Sequence, residues 1–211
     1  MSLSRRIPHA LAGALLLLLA SGAAHAAAAT YVIDPMHTYP SFEADHFGGL
    51  STWRGKFDRT SGKVTLDKAA GTGSVDITVD AASVDFGLDA MNEKARSNEL
   101  FDVARYPTAT YRGTLAGFVN GAPTKVKGSL TLHGVTRPLE LAIKSFKCVP
   151  HPLYKRELCG ADAYATFKRD DFGISAGKDY GFNMDVVLRI QVEALVDDGS
   201  AGKVALAAPN H

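Results

Sequence analysis

Between Gly181 and Leu195 the chain reads GFNMDVVLRIQVEAL, and its apolar residues fall at every second position: Phe182, Met184, Val186, Leu188, Ile190, Val192 and Ala194. Asn183, Asp185, Arg189, Gln191 and Glu193 fill the alternate face. This is the period of a strand, and at about 3.3 Å per residue it predicts one roughly 40 Å long, about twice the usual length. Shorter alternating segments recur upstream at 31–34, 41–47, 52–58, 63–67, 74–80, 109–118, 125–133, 138–146 and 161–168. Turn signals separate them, among them Thr60-Ser61-Gly62, Asn120-Gly121 and His133-Gly134. One segment breaks the pattern. Residues 89–102, DAMNEKARSNELFD, are rich in helix formers, with Asp89 as N-cap candidate and Pro107 beyond the end. Their weak apolar stripe predicts a short helix lying over an opening.

Short connections between alternating strands imply antiparallel pairing, and the strand lengths favour a closed barrel over a sandwich. The predicted fold class is therefore all-β, an antiparallel barrel of about eight strands. An interior of that size is either filled by side chains or just wide enough for one small ligand, and strands tilted near 40° would make it roughly 30 Å tall. Ala44, Gly55 and Gly128 lie in register with the apolar Phe42, Trp53, Phe57, Val126 and Leu130. Small residues on that face are expected to leave volume for a ligand channel, or else to fit a tapering packed core.

The amino terminus changes the picture. Arg5 and Arg6 precede the apolar run Leu11–Ala20, and Ala24-His25-Ala26 offers small residues for cleavage. This reads as a signal peptide over residues 1–26, followed by one domain over 27–196 and a patternless tail over 197–211. The expected location is the periplasm; Arg5-Arg6 hints at twin-arginine export, but Ile-Pro-His follows where that signal wants an apolar pair, which favours the general secretory route. Cleavage would lower Lys+Arg from 23 to 21 against 22 Asp+Glu. With near neutrality and no basic stripe, nucleic acid is not an expected partner. The two cysteines, Cys148 and Cys159, stand close together in an exported chain and read as a structural disulfide closing a loop.

Four segments carry a resemblance. FEADHFGGLSTWRGKFD is similar to the F…H-x-G…G-x-F signature of YceI-like polyisoprenoid-binding proteins, and ARSNELFDVARYPTATY to their helix and Tyr-Pro strand entry. VKGSLTLHGVTRPLELAI resembles their G-x-L-T-x-x-G-V-T hairpin, and FKRDDFGI a fourth segment in the same order. His46, Gly48 and Phe57 stand on the first motif; Leu130, Thr131, Gly134, Val135 and Thr136 stand on the hairpin. The helix departs from the pattern, with Met91-Asn92 in place of a charged pair and Ala95 in place of Leu. The resemblance implies an exported, lipocalin-like barrel holding a polyisoprenoid or similar amphiphile, such as a quinone tail or fatty amide, in its lumen. Such a lipid would be its ligand, with no other cofactor. An inner-membrane electron-transfer or lipid-handling protein is a further partner to consider. The oligomeric state, a homodimer included, stays open.

The lumen is expected to be lined by Phe42, His46, Trp53, Phe57, Val126, Leu130, Phe182, Met184, Val186, Leu188 and Ile190. His46 reads either as a contact to a ligand headgroup or, more simply, as a histidine bonded to backbone near the rim. No HExxH, Walker loop or GxGxxG is present, and no enzyme activity is expected. Asp34-Pro-Met-His37 reads as a turn rather than a metal site, and Asp170-Asp171, taken as adjacent on a strand end, would not converge. The competing reading is a structural or stress-associated barrel with a packed core and no ligand.

Overall fold

The computed structural model describes residues 28–199; the expected signal peptide and residues 200–211 lie outside the described residues. Among the described residues, eleven antiparallel strands make one sheet that closes on itself. They are β1 (Ala29–Ile33), β2 (Tyr39–His46), β3 (Ser51–Phe57), β4 (Thr60–Asp67), β5 (Thr72–Asp80), β6 (Val84–Asp85), β7 (Thr108–Ala116), β8 (Lys125–Leu132), β9 (Val135–Pro150), β10 (Glu157–Lys168) and β11 (Asp185–Val196). β1 and β2 lie end to end along β11, pairing at Tyr31 with Val196 and at Phe42 with Leu188. In the same way β4 pairs with β1 and β3 with β2, while β5 pairs with β4 and β6 with β3. The first six strands thus form three staves, each broken part-way. With β7 to β11 they make an eight-stave up-and-down barrel, in line with the expected class.

The first break has a local cause. Pro35 has no N–H to give the ladder. Past the proline, buried Thr38 ties the chain back to β11: its hydroxyl accepts from the Glu193 N–H and donates to the Glu193 carbonyl, both at 3.1 Å, and that carbonyl also accepts from Asp34 N–H at 2.9 Å. β9, with 16 residues, is the longest strand among those described, and its register with β10 shifts between Asp162 and Ala163. The shift leaves Lys144 unpaired, and Ser145 Oγ donates to Asp162 Oδ2 at 2.6 Å beside it. Such a bulge lets Ile143 and Phe146, an odd spacing for a strand, both line the interior. Beyond β11 the chain stays attached, Asp197 N–H donating to the Thr30 carbonyl at 2.7 Å.

Helix α1 (Asp89–Arg96) is shorter than the segment 89–102, and its cap position is Leu88 rather than Asp89. Asp89 instead sits in the first turn and Lys94 and Arg96 in the last, each complementing the helix dipole. Asn92 docks the helix on β6: its side-chain carbonyl accepts from Phe86 N–H at 2.7 Å and its amide donates to Asp85 at 3.0 Å. Ala95, where a larger residue was the family pattern, is fully buried.

Other expectations are corrected. Residues 181–184 lie outside β11, so the alternation that begins at Phe182 is only partly a strand. Thr60-Ser61-Gly62 belongs to β4 and not to a turn; Gly62 is there because β5 passes so close that a Cβ would meet Asp76 O at 2.2 Å. Asn120-Gly121 and His133-Gly134 do turn, all four at positive φ. Asp170 and Asp171 lie in a 3-10 turn (Arg169–Phe172) and not on a strand end. Gly55 and Gly128 leave no free volume. The Phe42 ring covers Gly55 and the Tyr111 ring covers Gly128, so an added Cβ would stand 2.6 Å from Phe42 Cζ and 2.7 Å from Tyr111 Cζ.

Candidate functional site

Alternation puts one face of every stave inside, and those faces do not meet. They enclose a cavity of about 690 Å³, within the ~300–1,000 Å³ typical of small-molecule sites. Phe42, His46, Trp53, Phe57, Val126, Leu130, Val186, Leu188 and Ile190 all line it from the strands, and Phe182 lines it from the segment before β11. Met184 is the exception: it is buried just before β11 but stands apart from the lining. The lining also includes Tyr31, Leu66, Ile77, Leu115 and Leu141. Their own strands alternate, so the same period would have identified them. Phe86, Leu100 and Phe101 carry no such periodicity and were missed.

The charged residues that line the cavity are Asp45, Lys94, Glu99 and Arg169. All stand at one end, where β2 turns into β3, α1 docks, and the segment between β10 and β11 folds over. The tie between these segments is visible in the packing of Leu100 and Phe101 against Phe172 and Ile174. Asp45 fixes this rim. It accepts from Gly48 N–H at 2.9 Å, Gly49 N–H at 2.6 Å and Asn183 N–H at 2.8 Å. Those bonds, led by the one from Asn183, hold its carboxyl below the ordinary range. Lys94 and Glu99 pair with each other.

His46 stands within an aromatic cluster at the same mouth, its ring 4.7 Å from Phe47, 5.2 Å from Trp53 and 5.3 Å from Phe182. The backbone bond expected for its imidazole is absent among the described residues; ring contacts hold it instead. Deeper, Phe42 packs on Phe57 and Phe86 at 5.6 and 5.4 Å.

Toward the other end the lining is apolar but for phenols and hydroxyls. Tyr31 donates its hydroxyl to Glu157, which also pairs with Lys68 at 2.7 Å. Burial, then that bond, pushes the Tyr31 phenol well above its usual value. Tyr111, buried and donating to the Leu139 carbonyl at 2.9 Å, is pushed up to about 12 by burial and then by the charge of Glu140. Cys148 and Cys159 face each other across β9 and β10 and are joined by a disulfide.

Outside the barrel, Asp34, His37 and Glu193 bring three potential ligand atoms within 4.8 Å. The Asp34 carboxylate there accepts from Met36 N–H at 2.9 Å and bonds His37 Nδ1 at 2.8 Å, raising the pKa of the imidazole. An Asx-type turn accounts for the arrangement.

Residues 31–194 match the family described as YceI-like domain. A UPF0312 protein of Pseudomonas aeruginosa is 32% identical over 177 residues, covering 82% of this chain and 90% of that protein. The fold is similar to a polyisoprenoid binding domain from Saccharophagus degradans implicated in plant cell wall breakdown: TM-score 0.56, 18% identity, 81% of this chain and 99% of that one. It is also similar to the Campylobacter jejuni YceI protein, with TM-score 0.59 and 23% identity over 69% of this chain and 86% of that one. On its sequence match and its barrel, this chain belongs to the YceI-like domain family.

Proposed function

We propose that the protein is a periplasmic binding protein, not an enzyme, that holds a polyisoprenoid or similar single-chain amphiphile in its lumen for transport or storage. One observation carries this reading: the cavity is lined by apolar side chains along its length and by charged ones at a single end. An amphiphile has the same polarity, apolar along its chain and polar at one tip. Burying hydrocarbon contributes about 0.8 kcal/mol per CH₂, so each five-carbon isoprene unit adds roughly 4 kcal/mol before ordering costs. A few units suffice, and affinities saturate near −20 kcal/mol, so longer tails gain progressively less. The Saccharophagus degradans domain is similar in fold and by name binds polyisoprenoid, which supports the same class of ligand. The disulfide and the leader-like amino terminus support an oxidising, exported setting. A ligand so insoluble would pass between the lumen and a membrane, or an inner-membrane lipid-handling or electron-transfer protein. No further cofactor enters the reading.

Native mass spectrometry of protein purified from an exporting host tests it. A mass adduct that is released by organic extraction and identified as a single-chain amphiphile is expected. Bare protein, together with failure to take up such lipids from vesicles, would favour the structural barrel instead.

A further inference from the structure

Among the described residues, Arg169 is the lumen-lining cation that pairs with no carboxylate. It opens the 3-10 turn after β10 and lines the cavity at its charged end. Its Nη1 donates to the Ile174 carbonyl at 3.0 Å and its Nη2 to the Ala176 carbonyl at 2.6 Å. A guanidinium carries five N–H donors. The remaining three meet no acceptor among the described residues.

Among the described residues no carboxylate pairs with the guanidinium, although one Asp170 oxygen, Oδ1, is buried without a hydrogen-bond partner. Asp170 pairs with Lys178 at 2.7 Å and does not line the cavity; Asp185 pairs with Lys168 at 3.0 Å. Glu99 pairs with Lys94, and Asp45 is taken by three backbone N–H groups. Burial lowers the Arg169 pKa, and Asp170 and Asp45 oppose that only through space. The group nevertheless stays charged, as arginine does in proteins. A half-buried cation fixed by two neutral carbonyls, with unused donors at the apolar channel's mouth, has the chemistry of an oxyanion receptor.

We propose that Arg169 receives an anionic oxyacid head, carboxylate or phosphate, on the amphiphile whose chain fills the lumen. This rests on the reading of the lumen given above and narrows it: the neutral heads of quinones, amides and alcohols would leave the guanidinium donors to water.

Two matched pairs test it by equilibrium binding below their critical micelle concentrations: oleate against oleamide, and farnesyl phosphate against farnesol. Within a pair the tail is constant, so the ratio reports the head. The anion is expected to bind about tenfold or more tighter in at least one pair, and the pair that shows the preference identifies the acid. Arg169→Gln should bring that ratio to about one, weakening the anion's binding by more than it changes that of the neutral ligand in the same pair. Should the Gln variant fail to fold, Arg169→Lys replaces it, keeping charge but losing the planar fork, and should give an intermediate ratio. Equal binding of both members of each pair overturns the role of Arg169 and leaves the lumen reading standing. Failure of all four to bind overturns both.

Discussion

Tyr111 lies across the bare Cα of Gly128 on the neighbouring strand, its hydroxyl bonded to the Leu139 carbonyl at 2.9 Å one strand further on. One ring thus ties β7, β8 and β9 together over a glycine that no other residue could replace without movement. A Cβ on Gly128 would stand 2.6 Å from the Tyr111 oxygen and 2.5 Å from the Arg112 carbonyl. Gly128→Ala is therefore expected to destabilise the barrel by about 1–3 kcal/mol, read as a lower urea midpoint at unchanged slope. Unchanged stability would show that the strands separate easily there.

The same tyrosine makes stability sensitive to alkali. Its phenol ionises near 10 in the unfolded chain and at about 12 in the barrel, so the unfolded chain releases its proton first. The stabilisation is complete below pH 10 and is lost as pH rises from 10 toward 12. Two pH units correspond to on the order of 3 kcal/mol at most. Tyr31, also raised, acts in the same direction. Urea midpoints measured from pH 8.5 to 11.5 should fall across this window in the wild type and fall less in Tyr111→Phe.

The Cys148–Cys159 bond closes a hairpin of sequence separation 11. In the chain-entropy account a loop of that size contributes roughly 3 kcal/mol at most. Reduction should lower the melting temperature and leave the preference between lipid heads intact, because the charged end of the lumen is at the far end of the barrel. Thiol titration of the unfolded, unreduced protein should find no free thiol. Two free thiols would contradict the structural role.

Much of this was legible in the sequence because strand period is a local signal. Val186, Leu188 and Ile190 could be assigned inward from their own neighbours, and the barrel followed from many such runs joined by short connections. What crosses strands was not legible. Gly55 and Gly128 look like vacancies along the chain, yet the rings that fill them, Phe42 and Tyr111, come from adjacent strands. Met184 keeps the alternation in sequence and is buried, yet it precedes β11 and stands apart from the cavity lining. Leu100 and Phe101 reach the lumen from irregular backbone, where no period exists to read. Arg169 was hidden for a further reason: its neighbours Lys168, Asp170 and Asp171 suggest a solvated charge run, and only the fold separates Lys168, paired with Asp185, from Arg169, which lines the lumen.

The chain contains one tryptophan, Trp53, and it lines the lumen beside His46 and Phe86. Its fluorescence therefore reports directly on what enters. Titration with a long-chain fatty acid brominated close to its carboxylate places a heavy-atom quencher where the charged end of the lumen would hold the head. Quenching that saturates at one equivalent, and is reversed by the unbrominated acid, is the result expected of an amphiphile seated in the barrel. Quenching that rises without saturation, no steeper than for free N-acetyltryptophanamide, would contradict a lipid-binding lumen.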